Sequence, residues 1–307
     1  MSEHRERPTR TERGAGAPRV SVSGSPRGEA PRTVLKLGGE LLEDAAAMRA
    51  AAAGVRSLQA SGPVAVVHGG GRAIDADLKA RGKAPRFADG LRVTDADTLD
   101  TVVSVLAGRI NTAFVAALCA AGVKAVGLTG ADAGIGLSTI APPLTTAAGG
   151  TADLGLVGTP SADAPSGLLT DLLALGYVPV VASIGLTRDG ALLNVNADIL
   201  AAHLATAIGA TRLIIGGRTA GVFDAAGHTC SRLDERAARA MVAAGTARDG
   251  MVAKLGACLD AIAGGVEEVR IVDGRAGAYE TAPGTLLRSG DGSHVAGQAV
   301  THDHSSR

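Results

Sequence analysis

Two lysines sit where a charge breaks an apolar pattern, and each adjoins glycine. Lys36 interrupts "TVLKLGGE" just before Gly38 and Gly39, and Lys254 lies in "DGMVAKLGACL" shortly after Gly250. A lysine near the end of an apolar strand carries its ammonium to the strand edge, where a phosphate can meet it. The alternatives are a snorkelling strand-end lysine and, for Lys254, an ordinary helix-surface lysine. A further stretch, "VAVVHGGGRAIDADL", runs from a β-branched segment through Gly69, Gly70 and Gly71 into a helical pattern. A helix start of this kind leaves N–H groups free for an anion, although three glycines also suit a tight crossover turn. Arg92, in "DGLRVTD", has the fork that grips carboxylates, or it pairs with a surface acid. Asn194, Asn196 and Asp198 place three short polar side chains in "NVNAD", where they can cap a helix, bind a ligand or orient a lysine. Taken together, these groups supply the cations, N–H donors and positioning that phosphoryl transfer requires.

Two common phosphate loops are excluded. After Gly69–Gly71 come Arg72, Ala73, Ile74 and Asp75, so the dinucleotide pattern G-x-G-x-x-G is not completed, and an NAD-dependent oxidoreductase is disfavoured. The P-loop pattern G-x-x-x-x-G-K-[ST] is absent from the 307 residues.

The elements that must position these residues alternate. Strand-like runs occur at Thr33 to Leu37, Val64 to Val67, Ala125 to Leu128, Val178 to Ala182, Arg212 to Ile215 and Glu268 to Val272. Helical patterns lie between most of them, at Asp97 to Ala121, Gly167 to Leu175, Ala197 to Ile208 and Glu235 to Ala244. This alternation predicts an α/β protein with an open, mainly parallel sheet sandwiched by helices. "TIAPPLTTAAGGT", Thr139 to Thr151, reads as a small hairpin or loop, and Gly190 to Asp198 as a short strand entering a helix. The 43 glycines concentrate at strand ends, where open α/β sheets bind ligands.

Composition narrows the function. Thirty basic and thirty acidic residues leave no net field for nucleic acid or a membrane surface, and 2% aromatic content argues against base stacking. A small-molecule substrate is therefore expected, with no nucleic-acid and no membrane partner. No segment has eighteen consecutive apolar residues. Cys119, Cys230 and Cys258 fit neither a disulfide framework nor a zinc site, and are read as reduced, buried thiols of a cytoplasmic protein with no metal site of its own. Met1 to Pro31 and residues 289–307 are polar and are read as disordered tails.

With these residues assembled, the chain resembles the amino acid kinase family. The matching segments are "KLGGE", "VVHGGG", "GLRVTD", "DLGLVG", "NVNAD", "GMVAK" and "DGR", in that order between Thr33 and Arg288. The resemblance implies an N-terminal lobe, 32–206, for an acylated amino acid and for dimerisation, and a C-terminal lobe, 207–288, for ATP with Mg²⁺ held mainly by the nucleotide. It implies ATP-dependent phosphorylation of a side-chain carboxylate, with N-acetyl-L-glutamate as acceptor. Lys36 and Lys254 would stabilise the transferring group, and Asp198 would organise the two lysines. Gly38, Gly39 and Gly70 would donate N–H groups, Gly70, Gly71, Arg92 and Asn194 would hold the acceptor, and Gly250 and Met251 would lie at the nucleotide. His68 is read as a packing residue.

One departure stands out. Where the family usually has a hydroxyl and an acid in its nucleotide lobe, "IIGGRTAGVF" places Gly217 and Arg218. The C-terminal segment and Met1 to Pro31 also lack features of arginine-inhibited hexamers, so a homodimer without strong arginine feedback is expected. A kinase for N-acetylaminoadipate or a carrier-linked acyl amino acid, and a catalytically silent binding protein, remain the competing possibilities.

Overall fold

The computed structural model describes residues 30–288, apart from 147–148 and 248–249. The two tails expected to be disordered fall almost wholly outside the described residues. Within them the strands, in chain order, are β1 (Thr33–Leu37), β2 (Val64–His68), β3 (Ala125–Thr129), β4 (Ser138–Ile140), β5 (Val157–Pro160) and β6 (Val178–Ala182). There follow β7 (Ile184–Leu186), β8 (Leu192–Val195), β9 (Arg212–Gly217), β10 (Arg232–Leu233), β11 (Glu268–Asp273) and β12 (Gly284–Arg288). The helices that matter below are α1 (Ala45–Gln59), α2 (Gly71–Ala80), α3 (Ala96–Ala120), α4 (Gly167–Ala174), α5 (Ala197–Ala207), α6 (Glu235–Ala243) and α7 (Gly250–Ala263).

The central sheet has eight strands in the order β10–β12–β11–β9–β1–β2–β6–β3. The six runs that the sequence marks as strands are the six parallel ones, and β12 and β10 complete one edge in the opposite direction. Chain order reverses between β1 and β9, since β1 leads to β2 on one side and β9 to β11 on the other. An α/β sheet opens its binding crevice at such a switch point, beyond the carboxyl ends of the strands.

Both faces of the sheet are covered, so its strands are mainly apolar and side-chain alternation sorts them into two cores. Val34, Val67, Ile215 and Ile271 face α5 and α7, whereas Leu35, Leu37, Val66 and Ile214 face α1 and α3. Lys36 is two residues from Val34 and therefore leaves the sheet on the α5/α7 face. This period-two placement, together with its position near the strand end, aims its ammonium at those helices.

A smaller sheet, β7–β8–β5–β4, lies beside the crevice and aligns Asn194 with Val157. The segment expected as a hairpin supplies β4 and then a two-stranded ribbon, Leu144–Thr145 against Thr151–Ala152.

One expectation holds and one needs correction. Helix Ala96–Ala120 is long and apolar enough, by length and composition, to cross a membrane, although Asp97, Asp100 and Arg109 interrupt any continuous apolar run. In the fold it is a core helix, with Val102, Leu106, Ile110, Phe114 and Leu118 buried against the sheet layer. The three cysteines are free thiols as expected, but only Cys258 is buried, while Cys119 is exposed and Cys230 intermediate.

Candidate active site

Asp198 lies between the two lysines. Lys36 Nζ is 2.9 Å from Asp198 Oδ1, and Lys254 Nζ is 3.1 Å from Oδ2 and 3.2 Å from Oδ1. The three side chains are only 10%, 14% and 10% exposed for Lys36, Lys254 and Asp198, which removes the surface-lysine alternatives. Local sequence explains the arrangement. Asn196 caps α5 by accepting from Asp198 N–H (2.8 Å) and Ile199 N–H (3.2 Å), which sets Asp198 in the first turn facing the sheet. Lys254 sits in the second turn of the neighbouring helix α7.

Two cations and one anion are buried together, so the cluster carries an excess positive charge. Burial alone would raise the Asp198 carboxyl, but the charges of Lys36 and Lys254 and their hydrogen bonds outweigh it and hold the pKa at about 2. Burial, followed by the like charge of Lys36, lowers the pKa of Lys254, and Asp198 opposes that shift. Cys258, one turn beyond Lys254, is pushed by burial up to about 12 and remains a thiol.

The glycine turns after β1 and β2 border a cavity of about 250 Å³, which Lys36 and Asp198 also line. They do different things from one another. Gly38 N–H is already bonded to Gly216 C=O at 3.0 Å, and Gly69 N–H to Leu37 C=O at 3.2 Å, so neither is free for an anion. Gly39 opens the short 3-10 turn Gly39–Leu41 and Gly70 caps α2, and N–H groups in these positions have no intrahelical acceptor. A Cβ on Gly39 would lie 2.4 Å from Gly70 Cα, and one on Gly70 would lie 2.4 Å from Ile110 Cδ1 and 2.7 Å from Leu106 Cδ2. The two turns thus touch backbone to backbone, and α3 presses on the second. A Cβ on Gly71 would meet nothing closer than Arg92 Nη2, at 4.0 Å.

The α3 residues that press on Gly70 belong to a π-helical stretch, Ser104–Asn111. It ends on buried Asn111, whose Nδ2 donates to Val180 C=O (2.8 Å) and contacts His68 Nε2 at 3.1 Å. His68 Nδ1 lies 3.1 Å from Gly69 C=O. Burial lowers His68 to about 4 despite that contact, so the imidazole is neutral and holds the glycine turn, consistent with a packing role.

At the far side of the cavity, Arg92 ends the ribbon formed by Phe87–Ala88 and Leu91–Arg92. Its Nη2 is 2.7 Å from Asp75 Oδ1 and donates to Gly71 C=O at 3.2 Å, and its guanidinium stacks over Phe87 at 4.7 Å. Arg92 Nη1 is buried with no hydrogen-bond partner. An unpaired buried donor of this kind calls for an acceptor from outside the chain. Asn194 lines the same cavity, and its Nδ2 donates to Thr94 Oγ1 at 3.0 Å. "NVNAD" therefore divides its work: Asn194 meets the cavity, Asn196 caps, and Asp198 holds lysines.

The remaining candidates do not line that cavity. Gly217 ends β9, Arg218 beyond it is exposed, Gly250 begins α7, and Met251 packs against the α5/α7 core. Arg218 acts electrostatically on Asp273 at the end of the adjacent β11, whose pKa is lowered first by its hydrogen bond from Arg275.

Sequence reasoning assigned no role to Asp75, Phe87 or Glu40. Asp75 carried a signal, since an acid one turn into a helix entered through glycines can reach a basic loop residue. Glu40 carried one too, as an acid directly after the Gly38–Gly39 turn. Phe87 carried none.

Residues 31–273 match the family model described as the amino acid kinase family. The chain is 40% identical over 271 residues to an acetylglutamate kinase of Solibacter usitatus, covering 88% of this chain and 99% of that one. An acetylglutamate kinase of Symbiobacterium thermophilum is 41% identical over 213 residues, covering 68% and 72%. Among solved structures, N-acetylglutamate synthase from Neisseria gonorrhoeae has a TM-score of 0.72 at 24% identity, over 85% of this chain and 60% of that one. Carbamate kinase from Giardia lamblia bound to AMP-PNP has a TM-score of 0.61 at 14% identity, over 85% and 99%, and these two likenesses bear on the fold alone. The lysine pair on its shared acid, the glycine turns and these matches lead to one conclusion: the chain belongs to the amino acid kinase family.

Proposed function

We propose that this protein transfers the γ-phosphoryl group of MgATP to the side-chain carboxylate of N-acetyl-L-glutamate, releasing an acyl phosphate and ADP, as a step of arginine biosynthesis. The observation that carries this is the Lys36–Asp198–Lys254 cluster beside a cavity whose opposite side offers the unpaired Arg92 Nη1.

The acceptor carboxylate, with a reference pKa of about 4.3, is ionised at neutral pH and needs no general base. The barrier is repulsion between anions. Lys36 and Lys254 offset it at the transferring group, and Asp198 keeps both ammoniums at fixed positions. The N–H groups of Gly39 and Gly70 add donors that require no reorganisation. Arg92 takes the carboxylate of the acceptor that does not react, and Asn194 orients its amide. Bound MgATP supplies the phosphoryl group. The excess positive charge of the buried cluster fits such a group, and Gly217, Arg218, Gly250 and Met251 would hold the rest of the nucleotide. In this scheme 32–206 binds the acceptor and 207–288 the nucleotide. The working form is a homodimer of the cytoplasm, supported by the three free thiols and by β3, an edge strand of the described sheet.

The test is ADP release with MgATP and N-acetylglutamate, N-acetylaminoadipate or N-acetylaspartate, with Lys254→Ala as control. Turnover with N-acetylglutamate that collapses in Lys254→Ala is the expected result. Preference for the longer acceptor would reassign the substrate, and no turnover from folded protein would overturn the kinase.

A further inference from the structure

Glu40 is a charge the proposed mechanism leaves without a task. It follows the Gly38–Gly39 turn, and its side chain folds back over Gly38, so that a Cβ there would lie 2.3 Å from Glu40 Oε1 and 2.5 Å from Oε2. A Cβ on Gly217 would lie 3.5 Å from the same Oε1. The carboxylate therefore spans the β1/β9 switch point, between the turn after β1 and the end of β9. It lines the cavity shared by Lys36 and Asp198.

Glu40 makes no hydrogen bond or ion pair among the described residues, whereas Asp198 is fully engaged by two lysines. Its position also conflicts with the anion that the site is read as receiving. A carboxylate beside polyphosphate oxygens is repulsive unless a cation lies between them. Magnesium suits that place, because it is commonly held by one or two carboxylates together with substrate phosphates while keeping several waters.

The geometry points to Glu40 as a protein ligand, direct or through a bound water, for the magnesium ion that accompanies the nucleotide. This inference rests on the kinase reading above and extends it. The nucleotide phosphates supply the remaining ligands, and the bare Cα of Gly38 provides the space that the carboxylate occupies. The close pairing of Gly38 and Glu40 thus has a purpose: alanine at Gly38 would displace the metal-facing carboxylate.

The test measures AMP-PNP binding by calorimetry, with Mg²⁺ and with EDTA, for the wild type, Glu40→Gln and Glu40→Asp. The electron paramagnetic resonance spectrum of Mn²⁺–AMP-PNP on each protein serves as a second readout. In the wild type, magnesium should strengthen binding by about tenfold or more, the effect expected for relieving one close charge repulsion near a protein surface. In Glu40→Gln the strengthening should largely vanish, with binding in EDTA at least as tight as in the wild type, and the bound Mn²⁺ spectrum should change. Glu40→Asp, which keeps the charge, should retain part of the magnesium effect. An unchanged magnesium effect and Mn²⁺ spectrum in Glu40→Gln would overturn the assignment, as would equal weakening with and without metal, the mark of a merely structural residue. Failure of the wild type to bind AMP-PNP under either condition would overturn the kinase reading itself, and this inference with it.

Discussion

Asp198 neutralises only half the charge on the ammoniums it holds, and much of the site's behaviour follows from that imbalance. Asp198→Asn would leave two like charges buried without a counter-ion, which costs roughly 3–5 kcal/mol when one partner of a buried pair is removed. We expect a destabilised protein in urea titrations and a kcat lowered by about a hundredfold or more, since both positioned cations are lost as a unit. The pH dependence has a defined sign. The Asp198 pKa is depressed in the folded state to about 2, so its contribution is fully present above the ordinary carboxyl range near 4 and is lost as pH falls from there through about 2. Acid unfolding of the wild type should steepen in that window, and the steepening should be missing in Asp198→Asn. Lys254 shifts downward as well, so in the free enzyme it loses its proton below the ordinary lysine range of about 10.4, and the alkaline limb of kcat/KM should fall below that value. A limb at or above it would remove Lys254 as the titrating cation. The residue types were legible in the sequence, because Lys36, Lys254 and Asp198 each break an apolar or glycine context. Their contact was not, because 162 positions separate Lys36 from Asp198 in the chain.

At the scale of elements, the two glycine turns behave as a single packed unit. Gly39→Ala would drive a Cβ to 2.4 Å from the backbone of Gly70, which cannot rotate away, whereas Gly71→Ala meets nothing closer than 4.0 Å. Overpacking of this kind costs roughly 1–3 kcal/mol, so Gly39→Ala should lower Tm and activity together while Gly71→Ala leaves Tm near wild type. Thermal melts of the pair decide it, and equal losses of Tm would refute the packing account. The Asn111 side chain at the end of the π-helical stretch ties α3 to β6 and to His68. Asn111→Ala should cost about 1–3 kcal/mol by orphaning buried polar groups, measured as a lower urea midpoint. The sequence marks the glycines and hints at close approach. It does not reveal that the approaching body at Gly70 is another part of the chain, since the π-helical stretch leaves no trace in an Ala/Leu/Val periodicity that reads as one ordinary helix.

At the scale of the molecule, one continuous sheet joins the residues proposed for the acceptor to those proposed for the nucleotide, with β1 and β9 side by side at the boundary. Lys36 comes from one side of that boundary and Lys254 from the other, and Asp198 links them. Ligands on both sides should therefore stabilise the same cooperative unit. N-acetylglutamate or MgADP at a hundred times its Kd should add about 2.7 kcal/mol. The two together should raise Tm by more than either alone in differential scanning fluorimetry. A shift from one ligand that the other abolishes would contradict a shared fold across the boundary.

The sequence by itself determined the α/β class, the six parallel strands, the family and the residue types proposed for the chemistry. It could do so because these depend on local periodicity, turn residues and short motifs. Only the tertiary structure decided which glycine amides are already bonded, that Asp75 and Phe87 hold Arg92, and that Glu40 lies over Gly38 toward Gly217. These facts depend on which strands become neighbours and which face of each a side chain leaves, and burial then sets the charge balance. Contacts between residues distant in the chain have no signature in the order of the residues that make them.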